Sequence, residues 1–292
     1  MNAVSDLVDR TGTAIKVDRL AKGFRRSPWR GEVNEALRDC SFELPAGKVA
    51  ALVGANGAGK TTLLTVLAGL LAADAGEVAV AGRTSFVAQD KPVYRHLTAL
   101  DMLAVGARLN LVWDQERARS WLDRFRVPLD RPCGKLSGGQ RSQVAFAVAL
   151  GSRPDVLLVD EPLSELDPLV RREVMAELLV GVEATGMTVV LSTHVVGELG
   201  GVADHLLLLT GGQLVLAGEL DDLLARHVRY TGPRSDAPPG PGTVLDANHQ
   251  ARQSSFLVEL PGGAPRGITE PWTVRPVNVE ELVLARLARR GE

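Results

Sequence analysis

The chain has 292 residues, 45% of them apolar, with 35 acidic against 33 Lys and Arg side chains. That length allows one large domain with an appendage or two modest ones, and the apolar share excludes a disordered chain. The near-even charge excludes a global basic field for nucleic acid.

The opening MNAVSDLVDRTG carries acids early and has no apolar core, so it is not expected to act as a secretory signal. AIKVDRL, Ala14 to Leu20, alternates as a strand, and CSFELPAG, Cys40 to Gly47, reads as a second strand ending in a turn. FRRSPWRGEVNE between them is polar and punctuated by Pro and Gly, which predicts a loop. KVAALVGANG is a buried strand running into glycine, and KTTLLTVLAGLLAA is an apolar helix. Its Leu63–Ala73 core is the longest apolar stretch and falls short of the roughly 18 residues of a membrane span. GEVAVAG and TSFVAQ are strand-like.

From Leu97 to about Phe125 the spacing is helical, with Ala118, Trp121, Leu122 and Phe125 on one face and Asp114 placed as a cap. After LSGG, QRSQVAFAVALGS continues as a helix. DVLLVDEP and MTVVLSTH are short apolar strands of the kind buried in parallel sheets, with a helix from Leu169 to about Gly181 between them. HLLLLTGGQLVLAG reads as a hairpin. Strands alternating with helices predict an α/β sheet, with the helical block 97–150 as an insertion. TGPRSDAPPGPGT predicts a linker. Beyond it lie three short strands and the amphipathic NVEELVLARLARR, with Asn278 as N-cap and Glu281 placed for a capping box. Cys40 and Cys133 lie far apart without metal-ligand spacing and are expected as free thiols in a reducing compartment.

The chemistry begins at GANGAGKTT, which spans Gly54, Ala55, Asn56, Gly57, Ala58, Gly59, Lys60, Thr61 and Thr62. The pattern Gly54-x-x-x-x-Gly59-Lys60-Thr61, between an apolar strand and a helix, is a phosphate loop. Its glycines let backbone N–H groups curl around phosphate oxygens at a helix N-terminus. Lys60 is expected to reach the β- and γ-phosphates of a nucleotide, and Thr61 to ligate Mg²⁺. Asp160, ending an apolar strand, is the expected partner of Mg²⁺, and Glu161 is placed to polarise the attacking water. His194 ends another strand, where α/β sheets place ligand contacts, and is expected at the γ-phosphate. Gln89, just before the helical block, presents a neutral amide that can reach Mg²⁺ or the attacking water. The other four histidines are read as structural.

Taken together and in this order, these residues resemble the ATP-binding subunits of ABC transporters from about Ala14 to about Leu224. GANGAGKT is similar to the Walker A loop, LLVDEP to Walker B, LSGGQ to the signature motif, and Gln89 falls at the Q-loop. Ser164, Glu165, Leu166 and Asp167 fit the D-loop, and His194 the switch histidine. Phe24 falls where the family stacks an aromatic on adenine, with Trp29 as its competitor. Two departures stand out. Glu165 replaces a small residue, and VAVAGRTSFVAQD reaches the Q-loop after a shorter excursion than in many relatives, which predicts a smaller antiparallel sheet.

The resemblance implies a P-loop NTPase α/β sheet with an antiparallel β subdomain and a helical insertion, plus a small C-terminal α+β element. The expected division is an ATPase domain over 14–228, a linker over 229–242 and an accessory element over 243–292. It implies an ATPase using ATP and Mg²⁺, with Lys60, Glu161 and His194 catalytic. Two subunits, as homodimer or heterodimer, would pack head to tail. The turn of Ser137, Gly138, Gly139 and Gln140 in one would then cap the nucleotide held by the other, and Asp167 would line the contact. A separately encoded permease is implied, with the chain peripheral at the cytoplasmic face of the cell membrane. A single ATPase domain with a short C-terminal appendage resembles subunits of multicomponent exporters, and an importer stays open. The alternative, a soluble ABC ATPase acting on nucleic acid or the ribosome, lacks a tandem second ATPase domain, a long coiled coil, a zinc-ligand cysteine cluster and a basic tail. A P-loop kinase would leave LSGGQ and His194 without a purpose.

Overall fold

The computed structural model describes residues 12–25, 33–91, 93–161, 166–198, 201–260, 268 and 270–288. Strand β1 (Thr13–Arg25) buries Ala14, Ile15, Val17 and Leu20 and pairs antiparallel with β2 (Val33–Pro45). Both strands run further than expected. Phe24 pairs with Asn34 and Arg25 with Val33, inside the stretch that reads as a loop. Cross-strand hydrogen bonds hold that backbone although its side chains are polar, so the hydrophobic pattern does not announce it. The expected loop over Arg26, Ser27, Pro28, Trp29, Arg30, Gly31 and Glu32 lies outside the described residues.

β3 (Val49–Val53) is wholly buried and leads through the phosphate loop into α1 (Lys60–Leu67). β4 (Ala75–Val80) returns to pair with β1, closing a three-stranded sheet in the order β2-β1-β4. β5 (Thr84–Val87) then joins the main sheet. The helical block follows as α2 (Ala99–Leu109), α3 (Gln115–Arg124), a 3-10 turn (Cys133–Lys135) and α4 (Gly138–Gly151). β6 (Val156–Val159), α5 (Pro168–Thr185), β7 (Thr188–Thr193), a 3-10 turn (Val196–Glu198), β8 (His205–Thr210), β9 (Gln213–Glu219) and α6 (Leu220–Ala225) complete it. The chain ends in β10 (His227–Pro233), β11 (Thr243–His249), β12 (Gln253–Glu259), β13 (Thr273–Pro276) and α7 (Val279–Ala288).

The main sheet has the order β5-β6-β7-β3-β8-β9, parallel from β5 to β8, with β9 antiparallel at the edge as the expected hairpin. Alternation splits each strand between two cores. Val49, Ala51 and Val53 face the helical side, whereas Ala50 and Leu52 face α1 and the three-stranded sheet. All four residues of β6 are buried, each worth about 1.5–3 kcal/mol of apolar transfer. That depth explains why VLLV carries no polar residue.

The helical block packs as its spacing predicts. Ala118, Trp121 and Leu122 are buried and Phe125 packs beside them. The Trp121 indole N–H donates to Gln143 Oε1 at 2.9 Å, which satisfies the one polar atom that the buried ring carries. Asp114 caps α3 by accepting from the Arg117 N–H at 2.9 Å. Cys40 and Cys133 are buried free thiols, and burial pushes both pKa values up.

The C-terminal region departs from expectation at its start. Residues 229–233, expected as the beginning of a linker, belong to β10, an inner strand of an antiparallel sheet ordered β11-β12-β10-β13. Val228 and Tyr230 are buried while Arg229 and Thr231 alternate with them, a period-2 pattern masked by the Pro and Gly that follow. Asn278 and Glu281 form the expected box: the Glu281 N–H donates to Asn278 Oδ1 at 2.8 Å, and the Asn278 N–H to Glu281 Oε2 at 3.3 Å.

Candidate functional site

The site forms at the C-terminal ends of β3, β6 and β7. Glycine is required at two loop positions by close approach. A Cβ at Gly54 would lie 2.3 Å from the Leu209 carbonyl oxygen, and one at Gly59 would lie 2.4 Å from that of Ala36. Gly59 also has φ +106, which L side chains rarely adopt. The Gly211–Gly212 turn of the β8–β9 hairpin buttresses this loop. The Gly212 N–H donates to the Ala58 carbonyl at 3.0 Å, while its own carbonyl accepts from the Arg38 N–H at 2.7 Å.

Lys60 is 5% exposed. Its Nζ donates to the carbonyls of Gly54 at 2.8 Å and Ala55 at 3.2 Å and stands 3.2 Å from Glu161 Oε1. The other carboxylate oxygen of Glu161 lies 3.4 Å from His194 Nδ1. Lys60, Glu161 and His194 therefore form one contiguous chain.

Ser192 locks the two acidic residues in place. Its hydroxyl donates to Asp160 Oδ1 at 2.6 Å and accepts from the Glu161 N–H at 2.9 Å. Asp160 is buried, and its Oδ2 has no hydrogen bond among the described residues. Glu161 has φ +42, a left-handed backbone that costs a non-glycine residue about 1–3 kcal/mol. The hydrogen bond to Ser192 is one of the contacts that hold it there. Sequence reasoning missed Ser192, and its only signal was a hydroxyl directly after the apolar run VVL.

A cavity of about 740 Å³ opens over the loop. Asn56, Gly57, Gly59, Lys60, Thr61 and Thr62 line its floor, with Glu161, Gln89 and Phe24 around it. Phe24 is 43% exposed, and Lys22 Nζ lies 5.9 Å from its ring centroid. Trp29, its competitor, lies outside the described residues. Arg38, Asn34 and Glu35 also line the cavity, and nothing in their sequence context singled them out. Gly54 and Ala58 are buried and do not line the cavity.

The second glycine turn is elsewhere. Ser137 caps α4: its hydroxyl accepts from the Gln140 N–H, and its own N–H donates to Gln140 Oε1, both at 3.1 Å. None of Ser137, Gly138, Gly139 and Gln140 lines the cavity that holds Lys60. A Cβ at Gly139 would meet Leu166 Cδ2 at 2.9 Å, so the turn packs on the residue before Asp167. Asp167 caps α5, accepting from the N–H groups of Leu169 at 3.1 Å and Val170 at 3.0 Å, and is also absent from the cavity lining. Ser164 and Glu165 lie outside the described residues.

A family model described as ABC transporter matches residues 37–164. A thiamine import ATP-binding protein of Jannaschia sp. is 35% identical over 222 residues, covering 68% of this chain and 97% of the relative. The chain belongs to the ABC transporter ATP-binding family. An aliphatic sulfonates import ATP-binding protein of Corynebacterium glutamicum is 36% identical over 206 residues, 69% of this chain and 84% of the relative. Among solved structures, a dimeric ATP-binding cassette in a post-hydrolysis state bound to ADP and Pi shares the fold. It has a TM-score of 0.64 at 23% identity, covering 70% of this chain and 98% of the other. As a member of the ABC family the chain is an ATP-binding, ATP-hydrolysing subunit of a transporter. Subunits of this family dimerise and work with permease components. No helix among the described residues is long and apolar enough to cross a membrane.

Proposed function

We propose that this chain is the motor of an importer whose permease is a separate chain. The contiguous Lys60–Glu161–His194 arrangement beside the phosphate loop is the observation that carries the motor reading. The relatives named above that state a direction are import proteins, which supports import over the export expected from the sequence.

In this reading the loop N–H groups and Lys60 hold the β- and γ-phosphates of ATP. Phe24 offers its exposed ring to the adenine. Glu161 accepts a proton from the attacking water while His194, on its far oxygen, steadies the carboxylate and faces the γ-phosphate. Ser192 fixes Glu161 and Asp160 relative to each other. Mg²⁺ fits the donors present: the Thr61 hydroxyl, the Gln89 amide oxygen and the Asp160 carboxylate are hard oxygen ligands, and the buried Asp160 keeps one oxygen without a hydrogen bond. When bound, the ion would neutralise charge on the phosphate oxygens.

The signature turn has no place in its own chain's cavity, which supports its use across a dimer. Ser137, Gly138, Gly139 and Gln140 would then present a hydroxyl and helix N–H groups to the γ-phosphate held by the partner subunit. ATP would close the dimer and hydrolysis would open it. The ATPase unit ends near Arg226 in this reading, and the C-terminal unit starts with β10.

Purification of the tagged chain from detergent-solubilised membranes tests the assignment. A multi-span membrane protein is expected to copurify in stoichiometric amount and to change the ATPase rate. Recovery of the chain with ribosomes or nucleic acid, and none with a membrane protein, would overturn it.

A further inference from the structure

The C-terminal sheet carries a second cavity, of about 300 Å³. One face of this sheet is apolar and builds a small core of its own from Val228, Tyr230, Phe256 and Val258. The other face packs on the main core through Leu257 and is polar beside it. Asn248, Ser255 and Thr231 form a row across three strands, and Arg229 and Arg275 pair in the next row. Antiparallel sheets often leave one face to water, and such a face needs no ligand. Here, however, the Arg229 side chain is only 15% exposed, and Asp246 and Glu281 hold its charge at a fixed place on the cavity wall.

The polar groups in this cavity are fixed but not used up. Arg229 Nη1 donates to Ser255 Oγ at 3.2 Å and to Asp246 Oδ2 at 3.5 Å, and its Nε stands 3.0 Å from Glu281 Oε1. Among the described residues its Nη2 has no hydrogen bond. Arg275 grips Glu281 with both terminal nitrogens, at 2.9 and 2.6 Å, and its side chain stays 54% exposed. The hydrogen bonds from Arg275, then the Asn278 N–H and the charge of Arg229, hold the Glu281 carboxyl at about 2, so it stays ionised and pins both cations at the cavity edge.

We propose that this cavity binds a small hydrophilic oxyanion and that its occupancy is transmitted through α7 to the turn beside His194. Arg229 and Arg275 supply charge-assisted donors to the anionic group. The hydroxyls of Thr231 and Ser255 and the amides of Asn248 and Gln253 suit the remaining oxygens. A cavity of this size is at the small end of ligand pockets, which limits the ligand to a few heavy atoms beyond the anion. The route to the ATPase unit is short. Glu281 lies in the first turn of α7, and Leu282 and Val283 are buried in the same core as Val196. The helix packs against the turn Val196–Glu198, which begins two residues after His194. The binding half stands apart from the ATPase mechanism, whereas the transmission half rests on the proposed roles of Glu161 and His194.

The test uses the full chain saturated with a non-hydrolysable ATP analogue, whose γ-group fills the phosphate loop so that an added anion does not report on it. Sulfate, inorganic phosphate and citrate are titrated against chloride at equal ionic strength, with calorimetry and hydrogen–deuterium exchange as readouts. At least one probe is expected to bind saturably and to slow exchange in 229–231, 248–255 and 196–198. Thr231→Val combined with Asn248→Leu should remove saturable binding without lowering the melting temperature. Arg275→Gln should weaken it about tenfold, the loss of one hydrogen bond to a charged group. Absence of saturable binding by all three probes, or unchanged binding in the double variant, would overturn the site. Protection of the sheet without protection of 196–198, and without a change in hydrolysis rate, would overturn the transmission. Glu161→Gln should retain the binding signal while losing turnover, so failure of the ATPase reading and failure of this one remain separable.

Discussion

Lys60→Ala is expected to lower ATP hydrolysis by about 10²-fold or more, the usual loss when one preorganised charge facing a developing anion is removed. Two effects combine. The cation that opposes the phosphates disappears, and so does the clamp that Nζ places on the carbonyls of Gly54 and Ala55. The loop should then be both less positive and less ordered, so ATP binding should weaken along with turnover. Phosphate release measured at saturating ATP checks the first effect, and nucleotide titration checks the second. The helix that follows buries Leu63, Leu64 and Leu67 independently of Lys60, so the variant should remain folded. Turnover at the normal rate would remove the phosphate loop from the mechanism.

Glu161→Gln should separate binding from chemistry. The substitution keeps the shape of the side chain, and it keeps the backbone hydrogen bond to Ser192 that helps to hold φ at +42. What it removes is the charge that faces Lys60 on one oxygen and His194 on the other. An amide cannot accept the proton of an attacking water, so the rate should fall by about 10²–10⁴-fold, the range of a lost general base. ATP should still bind, and ATP-dependent dimers should persist on a sizing column because nothing opens them. Normal hydrolysis in this variant would mean that another group is the catalytic carboxylate.

The parts of the fold read directly from the residues were those with one dominant physical cause. VLLV and VVL are apolar because both sheet faces are covered, and the main sheet was legible from them. Trp121 and Leu122 marked the buried face of the helical block by spacing alone. The phosphate loop was legible because Gly54 and Gly59 answer to close backbone approach, which leaves a pattern in the chain itself.

What stayed hidden depends on partners far away in sequence. Ser192 acquires its meaning only when β7 lies beside β6 and its hydroxyl falls between Asp160 and Glu161. Arg38 lines the nucleotide cavity because the Gly211–Gly212 turn holds its guanidinium, with Nη2 2.5 Å from the Gly211 carbonyl. β10 was hidden for a different reason. Its alternation is short and runs straight into a Pro/Gly-rich stretch, so composition outweighed period. The assignment also has a practical consequence. Truncation at about residue 232 would cut through β10, and removal of the C-terminal unit would take away Leu245, Leu257 and Leu282, which are buried in the main core, and uncover the ATPase-side residues packed there, such as Val196.

The use of LSGGQ across a dimer is the central claim, and one mixing experiment bears on it most directly. Ser137→Arg places a bulky cation at the N-cap of α4, where the partner's γ-phosphate would dock. Each homodimer, of this variant or of Lys60→Ala, should fail to close. In a heterodimer both lesions fall in one composite site, and the other joins an intact loop to an intact turn. ATP-dependent crosslinking between the two chains should therefore return in the mixture, with the wild-type homodimer as the positive control. No ATP-dependent crosslinking in the mixture, with heterodimers shown to form, would contradict the arrangement and return the turn to its own chain.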